Sequence, residues 1–337
     1  MTLPATNSQS KFFLSLKSTI PSYSSLVDEI AETLQVSIDS AYRRIRGEKL
    51  LDFDEIKLIC QRFNISMDQF LSLETNAILF HGKIHNNTEG AFHEWMKDVL
   101  DQLKLVNSFS KKHVYFLVKD MPPFHHYYHP LLASFKFFFW MKSILYFDSL
   151  KNETFSVDKN FFAPYQEITQ QILKVYNKVP TSEIWNEEGL HTTLRQIEVY
   201  YDMGFIPSSK TVKELYNCVL EVIDHLEIMA ETGRKCMFGQ QPKPDAAEYR
   251  LYVNEIVLGD NTFMAEIGDN KITYLNHSVI YFVGSKDKKF NESMFKNLDN
   301  LMKKSTLISG TGEKDRKQFF NKLRKKVHSK IALLEGL

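Results

Sequence analysis

Between residues 25 and 71, apolar residues recur at three- and four-residue intervals in very short runs, and each run is closed by a residue that caps or breaks a helix. Ser25-Leu26-Val27-Asp28 has the form of a capping box, and Val27, Ile30, Ala31 and Leu34 then share one face. Ser37 is placed to cap a helix over Ile38–Arg46, which Gly47 stops. Asp52 or Asp54 starts the next, with Ile56, Ile59, Cys60 and Phe63 at helical spacing, and a further short helix is predicted over Ser66–Leu71. Upstream, Phe12, Phe13, Leu14, Leu16 and Ile20 form an apolar run that ends at Pro21. Helices this short are marginal alone. They must pack on one another, so residues 1–74 are expected to form one five-helix domain.

A helix-turn-helix needs a small residue where its two helices touch, apolar inner faces, and polar or basic residues on the face that meets the major groove. Ala31 supplies the first, and Ile30, Leu34, Val36, Ala41 and Ile45 supply the second. Ile38, Asp39, Ser40, Tyr42, Arg43 and Arg44 are left for the outer faces. Arg43, Arg44 and Arg46 fall within four positions of a chain whose formal net charge is only +1, so any nucleic-acid binding rests on this local concentration.

The stretch IAETLQVSIDSAYRRIRGEKLLDFDEIKLICQRFNISMDQFL resembles the lambda-repressor-like (Cro/C1, or XRE) helix-turn-helix family. Ile30-Ala31, Leu34, Val36-Ser37, Arg46-Gly47 and Asn64-Ile65-Ser66 with Asp68 and Leu71 match its pattern in order; Gln35 stands where glycine is usual. Gln35 must therefore take a turn conformation that glycine adopts more cheaply. The resemblance implies a DNA-binding transcriptional regulator whose Ser37–Arg46 helix enters the major groove of double-stranded DNA. It implies base-facing positions at Ile38, Asp39, Ser40 and Arg43, with Tyr42, Arg44 and Lys49 near phosphates and Ser37 among the DNA-binding residues. Arginine reads guanine because its fork matches O6 and N7 together. Arg46 matches an arginine that either contacts DNA or pairs with a carboxylate such as Glu29 or Glu32. A module this small contacts few base pairs, so a homodimer on two half-sites is expected. The alternatives are a protein-binding adaptor, kept open by Asp28, Glu29, Glu32, Asp52, Asp54 and Glu55, or a ligand-binding or enzymatic domain fused to a DNA-binding module.

The remainder is expected to dimerise or to sense an effector. Residues 75–88 read as a linker and 89–238 as a mainly helical region, with a strand at His113–Lys119 and longer helices over Ser182–Met203 and Thr211–Thr232. In residues 248–337 the period changes. Short alternations punctuated by Gly259-Asp260-Asn261 and Gly268-Asp269-Asn270 predict four antiparallel strands, followed by helices over Asn291–Lys303 and Glu313–Lys330. The fold class expected is thus mainly α with a small antiparallel sheet (α+β) near the C-terminus.

Other features are weaker. Leu131–Leu150 is apolar, but Lys136 and Lys142 interrupt it, and a buried core helix is preferred to a membrane span. His125, His126 and His129 stand close enough to raise zinc or nickel binding, with no second ligand set in view. The last helix is strongly basic and reads as a solvated face, with DNA backbone as the sharper alternative. Three scattered cysteines argue against a disulfide framework, and Cys60 sits at core spacing. No nucleophile–base pair or paired-carboxylate signature is present, so no enzyme and no cofactor is expected. The N-terminus lacks a secretion signal, and the lysine, asparagine, isoleucine and phenylalanine bias is that of AT-rich coding DNA. A bacterial, cytoplasmic protein is expected.

Overall fold

The computed structural model describes residues 8–17, 20, 25–63, 65, 67, 78–82, 89–256, 261–278 and 280–335. The chain divides into two compact units, Met1–Leu79 and Phe80–Leu337.

The N-terminal unit contains α1 (Ser8–Lys17), α2 (Leu26–Leu34), α3 (Ile38–Ile45) and α4 (Phe53–Phe63). The fifth helix expected over Ser66–Leu71 lies outside the described residues. Phe12, Phe13, Leu16, Ile30, Ala31, Ala41, Ile45 and Ile59 form its core, and all come from the predicted apolar faces. The α2–α3 turn is tight. Gln35 is left-handed (φ 52°, ψ 46°), its N–H bonds Glu32 O, and the Val36 N–H bonds Ala31 O at 3.0 Å. This is the double bond of a Schellman cap, with glutamine at the position glycine usually takes. The same arrangement ends α3. Gly47 (φ 79°) bonds Arg44 O and Glu48 N bonds Arg43 O. Asp52 and Glu55 cap α4: the Glu55 N–H donates to Asp52 Oδ1 at 2.8 Å.

The C-terminal unit overturns the fold class read from the sequence. Its sheet is neither small nor purely antiparallel. Among the described residues seven strands run in the order β6-β5-β4-β1-β2-β3-β7. β1 (Lys112–Leu117), β2 (Thr181–Trp185) and β3 (Tyr249–Val253) are parallel neighbours, with Leu117 opposite Ile184 and Trp185 opposite Val253. β4 (Thr262–Ile267), β5 (Asn270–Asn276) and β6 (Phe282–Ser285) add antiparallel strands beside β1, and β7 (Thr306–Leu307) adds one beside β3. The segments 89–238 and 248–337 therefore share one sheet. β2 replaces the start of the helix expected over Ser182–Met203. All five of its residues are buried, and Thr181, Ser182 and Glu183 leave it without the apolar run by which a buried strand is recognised.

Alternation sorts the strands onto two faces. Tyr115, Ile184, Tyr252 and Met264 meet Phe295 and Leu298 of α11 (Lys288–Lys303). Val114, Phe116, Trp185, Tyr249 and Leu251 meet the larger core. That core also takes apolar residues from α5 (Glu89–Ser108), α6 (Pro123–His126), α7 (Pro130–Phe139), α8 (Gln166–Tyr176), α9 (His191–Asp202), α10 (Ser209–Thr232) and α12 (Glu313–Glu335). The Leu131 stretch is the buried helix α7 followed by a π-helical turn over Trp140–Ile144. Among the described residues no helix is long and apolar enough to cross a membrane.

Candidate nucleic-acid interface

α3 is fixed at both ends. The Ser37 hydroxyl accepts from the Ser40 N–H at 3.3 Å, which caps its N-terminus. At the other end Gln9 of α1 reaches across. Its Nε2 donates to Arg44 O (2.7 Å) and Lys49 O (2.8 Å), while its Oε1 accepts from the Leu51 N–H (3.0 Å). One amide side chain thus holds the end of α3 and the loop beyond it. Sequence reasoning missed Gln9, because nothing in its local pattern marks a contact made thirty-five residues away.

The outer surface of α3 carries Ile38, Asp39, Tyr42, Arg43 and Arg46, all exposed. Spacings 38/42, 39/43 and 42/46 stack them into one strip. The Arg46 guanidinium lies over the Tyr42 ring at 5.5 Å from its centroid. Glu48 lies 4.0 Å from Arg43 Nε and 3.8 Å from Arg46 Nη1. These are long, exposed pairs, worth little in water, and they leave the arginines able to exchange that carboxylate for another acceptor. Glu29 pairs with Arg62 and not with Arg46. Lys49 is exposed just past the α3 cap, and Ser37 is exposed at its N-terminus.

Arg44 requires a correction. Read as a phosphate contact, it is buried instead, with 2% of its side chain exposed against 57% for Arg43. Its Nε donates to both Glu55 oxygens at 3.0 and 3.1 Å, and its Nη2 also bonds Oε1. Nη1 bonds the Ser40 hydroxyl (2.5 Å) and carbonyl (3.2 Å). The Glu55 hydrogen bond raises the Arg44 pKa against the opposing effect of burial. Arg44 therefore ties α3 to α4, and Ser40 is half-occupied in the same network. The structural arginine of the module is Arg44, not Arg46. Helix phase decides this, because position 44 faces inward with Ala41 and Ile45.

The histidines near Pro122–Pro130 engage protein side chains. Among the described residues no group of three or more His, Cys, Asp or Glu side chains is arranged to hold a metal ion. His125 Nε2 contacts both Glu183 oxygens at 2.9 and 3.0 Å. Glu183 also accepts from Tyr176 OH (3.0 Å), Trp185 Nε1 (2.9 Å) and Tyr249 OH (3.2 Å). Burial would raise the Glu183 carboxyl, but His125, Lys235 and Tyr176 outweigh it and hold the group below the usual carboxylate range. His126 Nε2 meets Thr193 Oγ1 at 3.0 Å, and His129 faces Glu221 at 3.3 Å.

Several cations of the basic α12 are paired within the unit. Arg324 pairs with Asp224 and Glu227 of α10, Lys322 with Glu187, Lys326 with Glu188, and Lys330 with Glu198. Arg316 is buried on the carbonyls of Ile308 and Thr311. Comparison with protein-family models, curated proteins and solved structures finds no match for the chain.

Proposed function

We propose that the chain is a sequence-specific DNA-binding regulator of transcription. α3 lies in the major groove, and a homodimer engages two half-sites. The observation that carries this reading is the exposed strip Ile38, Asp39, Tyr42, Arg43 and Arg46 on a helix immobilised by the Ser37 cap, the Gly47 turn and the Gln9 clamp. Base readout needs side chains presented from a rigid frame, and the strip supplies a forked donor, Arg43, beside apolar and aromatic surface. Arg46, Tyr42 and Lys49 are assigned to phosphates and Arg44 is withdrawn from that set. Asp39 accepts from a cytosine amino group.

The test is fluorescence anisotropy of labelled DNA from the gene's own upstream region across a series of salt concentrations. Wild type is expected to prefer this DNA to a scrambled duplex, with affinity falling steeply as salt rises. Arg43→Ala is expected to lose about 1–3 kcal/mol of discrimination. Sedimentation showing only monomer, with and without DNA, would remove the two-half-site arrangement. A protein-binding adaptor is the competing reading, and Leu50 and Phe53, 71% and 91% exposed beside α3, favour it. It wins if binding to every duplex tested is weak, insensitive to Arg43→Ala and confined to low salt.

A further inference from the structure

The strip on α3 carries a carboxylate that DNA would repel. Glu48 follows Gly47, whose left-handed turn (φ 79°) brings the chain back over the end of α3 and sets the Glu48 N–H on Arg43 O at 2.8 Å. Its exposed side chain then turns one oxygen to each outward arginine. Oε2 lies 4.0 Å from Arg43 Nε and Oε1 lies 3.8 Å from Arg46 Nη1. Among the described residues no other carboxylate comes within 4.0 Å of either guanidinium. Glu29 pairs with Arg62 and Glu55 with Arg44, both away from the strip.

Helix stability does not account for a carboxylate at this place. The free carbonyls at the end of a helix carry partial negative charge, so an anion just beyond them is unfavourable. Arg44, the arginine that ties α3 to α4, already has its countercharge in Glu55. What Glu48 does alter is the charge of the outer surface. The exposed cations there are Arg43, Arg46 and Lys49, and Asp39 and Glu48 stand against them. Binding to DNA without regard to sequence rests on such cations meeting phosphates.

We propose that Glu48 is a specificity gate, whose carboxylate keeps Arg43 and Arg46 on DNA of the wrong sequence and gives them up on the right one. The proposal rests on the DNA-binding reading above. A long, exposed ion pair is worth little, and so is one loose contact to a phosphate. On non-cognate DNA the two compete, and repulsion between Glu48 and the phosphates weakens the complex further. On the cognate site Arg43 gains two aligned hydrogen bonds to guanine O6 and N7, which outweigh the pair. Glu48 then swings into solvent and Arg46 passes to a phosphate. The carboxylate therefore costs non-cognate binding more than cognate binding. Discrimination is the difference between two affinities, and weakening the wrong one increases it.

The test is fluorescence anisotropy with the full chain and two labelled duplexes, one enriched by the wild type from a random-sequence pool and the other its scrambled counterpart. Glu48→Gln keeps the shape of the side chain and removes its charge. It is expected to tighten binding to the scrambled duplex about fivefold and to the enriched duplex about twofold or less, so that discrimination falls. On the scrambled duplex the dependence of log affinity on log salt should steepen by about 0.9 for each arginine released to a phosphate. In an Arg43→Ala background about half or more of the gain on the scrambled duplex should disappear, because one of the two arginines that Glu48 holds is gone. The proposal is overturned if Glu48→Gln tightens both duplexes equally, if it tightens neither, or if the whole gain survives without Arg43. Each of these results leaves the DNA-binding reading standing. A pool from which the wild type enriches no sequence removes that reading, and the gate with it.

Discussion

Among the described residues, the N-terminal unit buries one charged side chain, Arg44, and its partner Glu55 is eleven residues away. The C-terminal unit buries Glu183, Lys136, Lys235 and Arg316, and the partners of Glu183 come from as far as fifty-eight and sixty-six residues along the chain. The first unit closes its charge locally and leaves a basic strip for the outside. The second spends its polar groups on holding a sheet to its helices. A buried ion is tolerated only when every partner is in place, so the two units should respond very differently to the loss of one charge.

The sharpest break is Glu183→Ala. It leaves the His125 ring, two tyrosine hydroxyls and the Trp185 N–H without their acceptor, and Lys235 without its nearest countercharge. A loss of about 3–5 kcal/mol is expected. Trp95, Trp140 and Trp185 all lie in the C-terminal unit, so denaturant unfolding followed by tryptophan fluorescence reports on that unit. A change below about 1 kcal/mol would mean that the network is incidental to stability.

Acid should separate the units further. Burial lowers the pKa of both His113 and His225 to about 4, with Arg250 adding to the effect at His113 and His125 at His225. The unfolded chain takes up these protons near pH 6.5 and the folded one only near pH 4, so stability falls as pH drops through that window. Glu183, held low in the fold, extends the loss below the ordinary carboxylate pKa. Burial lowers His126 and His129 as well, so the stability of the C-terminal unit should fall with a slope of at least about two protons between pH 6.5 and 4, and His225→Phe should remove about one of them. A profile that stays flat above pH 4.5 would show that these rings are protonated in the fold.

Within the N-terminal unit the adjacent arginines give a smaller, internal contrast. Arg44→Met should cost about 2–3 kcal/mol, because it deletes charge-assisted bonds to Glu55 and leaves that carboxylate half-buried. Arg43→Ala should change stability by about 0.5 kcal/mol or less, since its side chain is exposed. Hydrogen exchange over residues 25–63 measures both. Equal costs would undo the assignment of one arginine to structure and the other to a ligand.

What was legible follows the same division. The boundaries of α2, α3 and α4 and their core residues followed from periodicity and caps, because the capping bonds that set them are local, although the Gln9 clamp on the end of α3 is not. Arg44 was misassigned because three arginines within four positions look alike until helix phase separates inward from outward. In the C-terminal unit α10, α11 and α12 were legible for the same local reasons, whereas β2 was not. A five-residue strand with a glutamate in the middle carries neither an apolar run nor an alternation, and its burial makes sense only once His125, Tyr176 and Tyr249 arrive from elsewhere.

The smallest effect tests the most local feature. Gln35 holds a left-handed conformation at the α2–α3 turn, which a side chain with a Cβ adopts at a cost of roughly 1 kcal/mol, while glycine in exchange gives up more backbone entropy on folding. Gln35→Gly should therefore stabilise the N-terminal unit by about 0.5 kcal/mol, with the α2 and α3 amides exchanging more slowly and the tryptophan-monitored transition unmoved. The Gln35 side chain is exposed, so little packing is lost to obscure the backbone term. Destabilisation would mean that glutamine makes a compensating contact in the turn. A shift in the tryptophan transition would mean that the two units do not unfold independently, and the contrast between local and long-range closure would then have to be drawn across the whole chain.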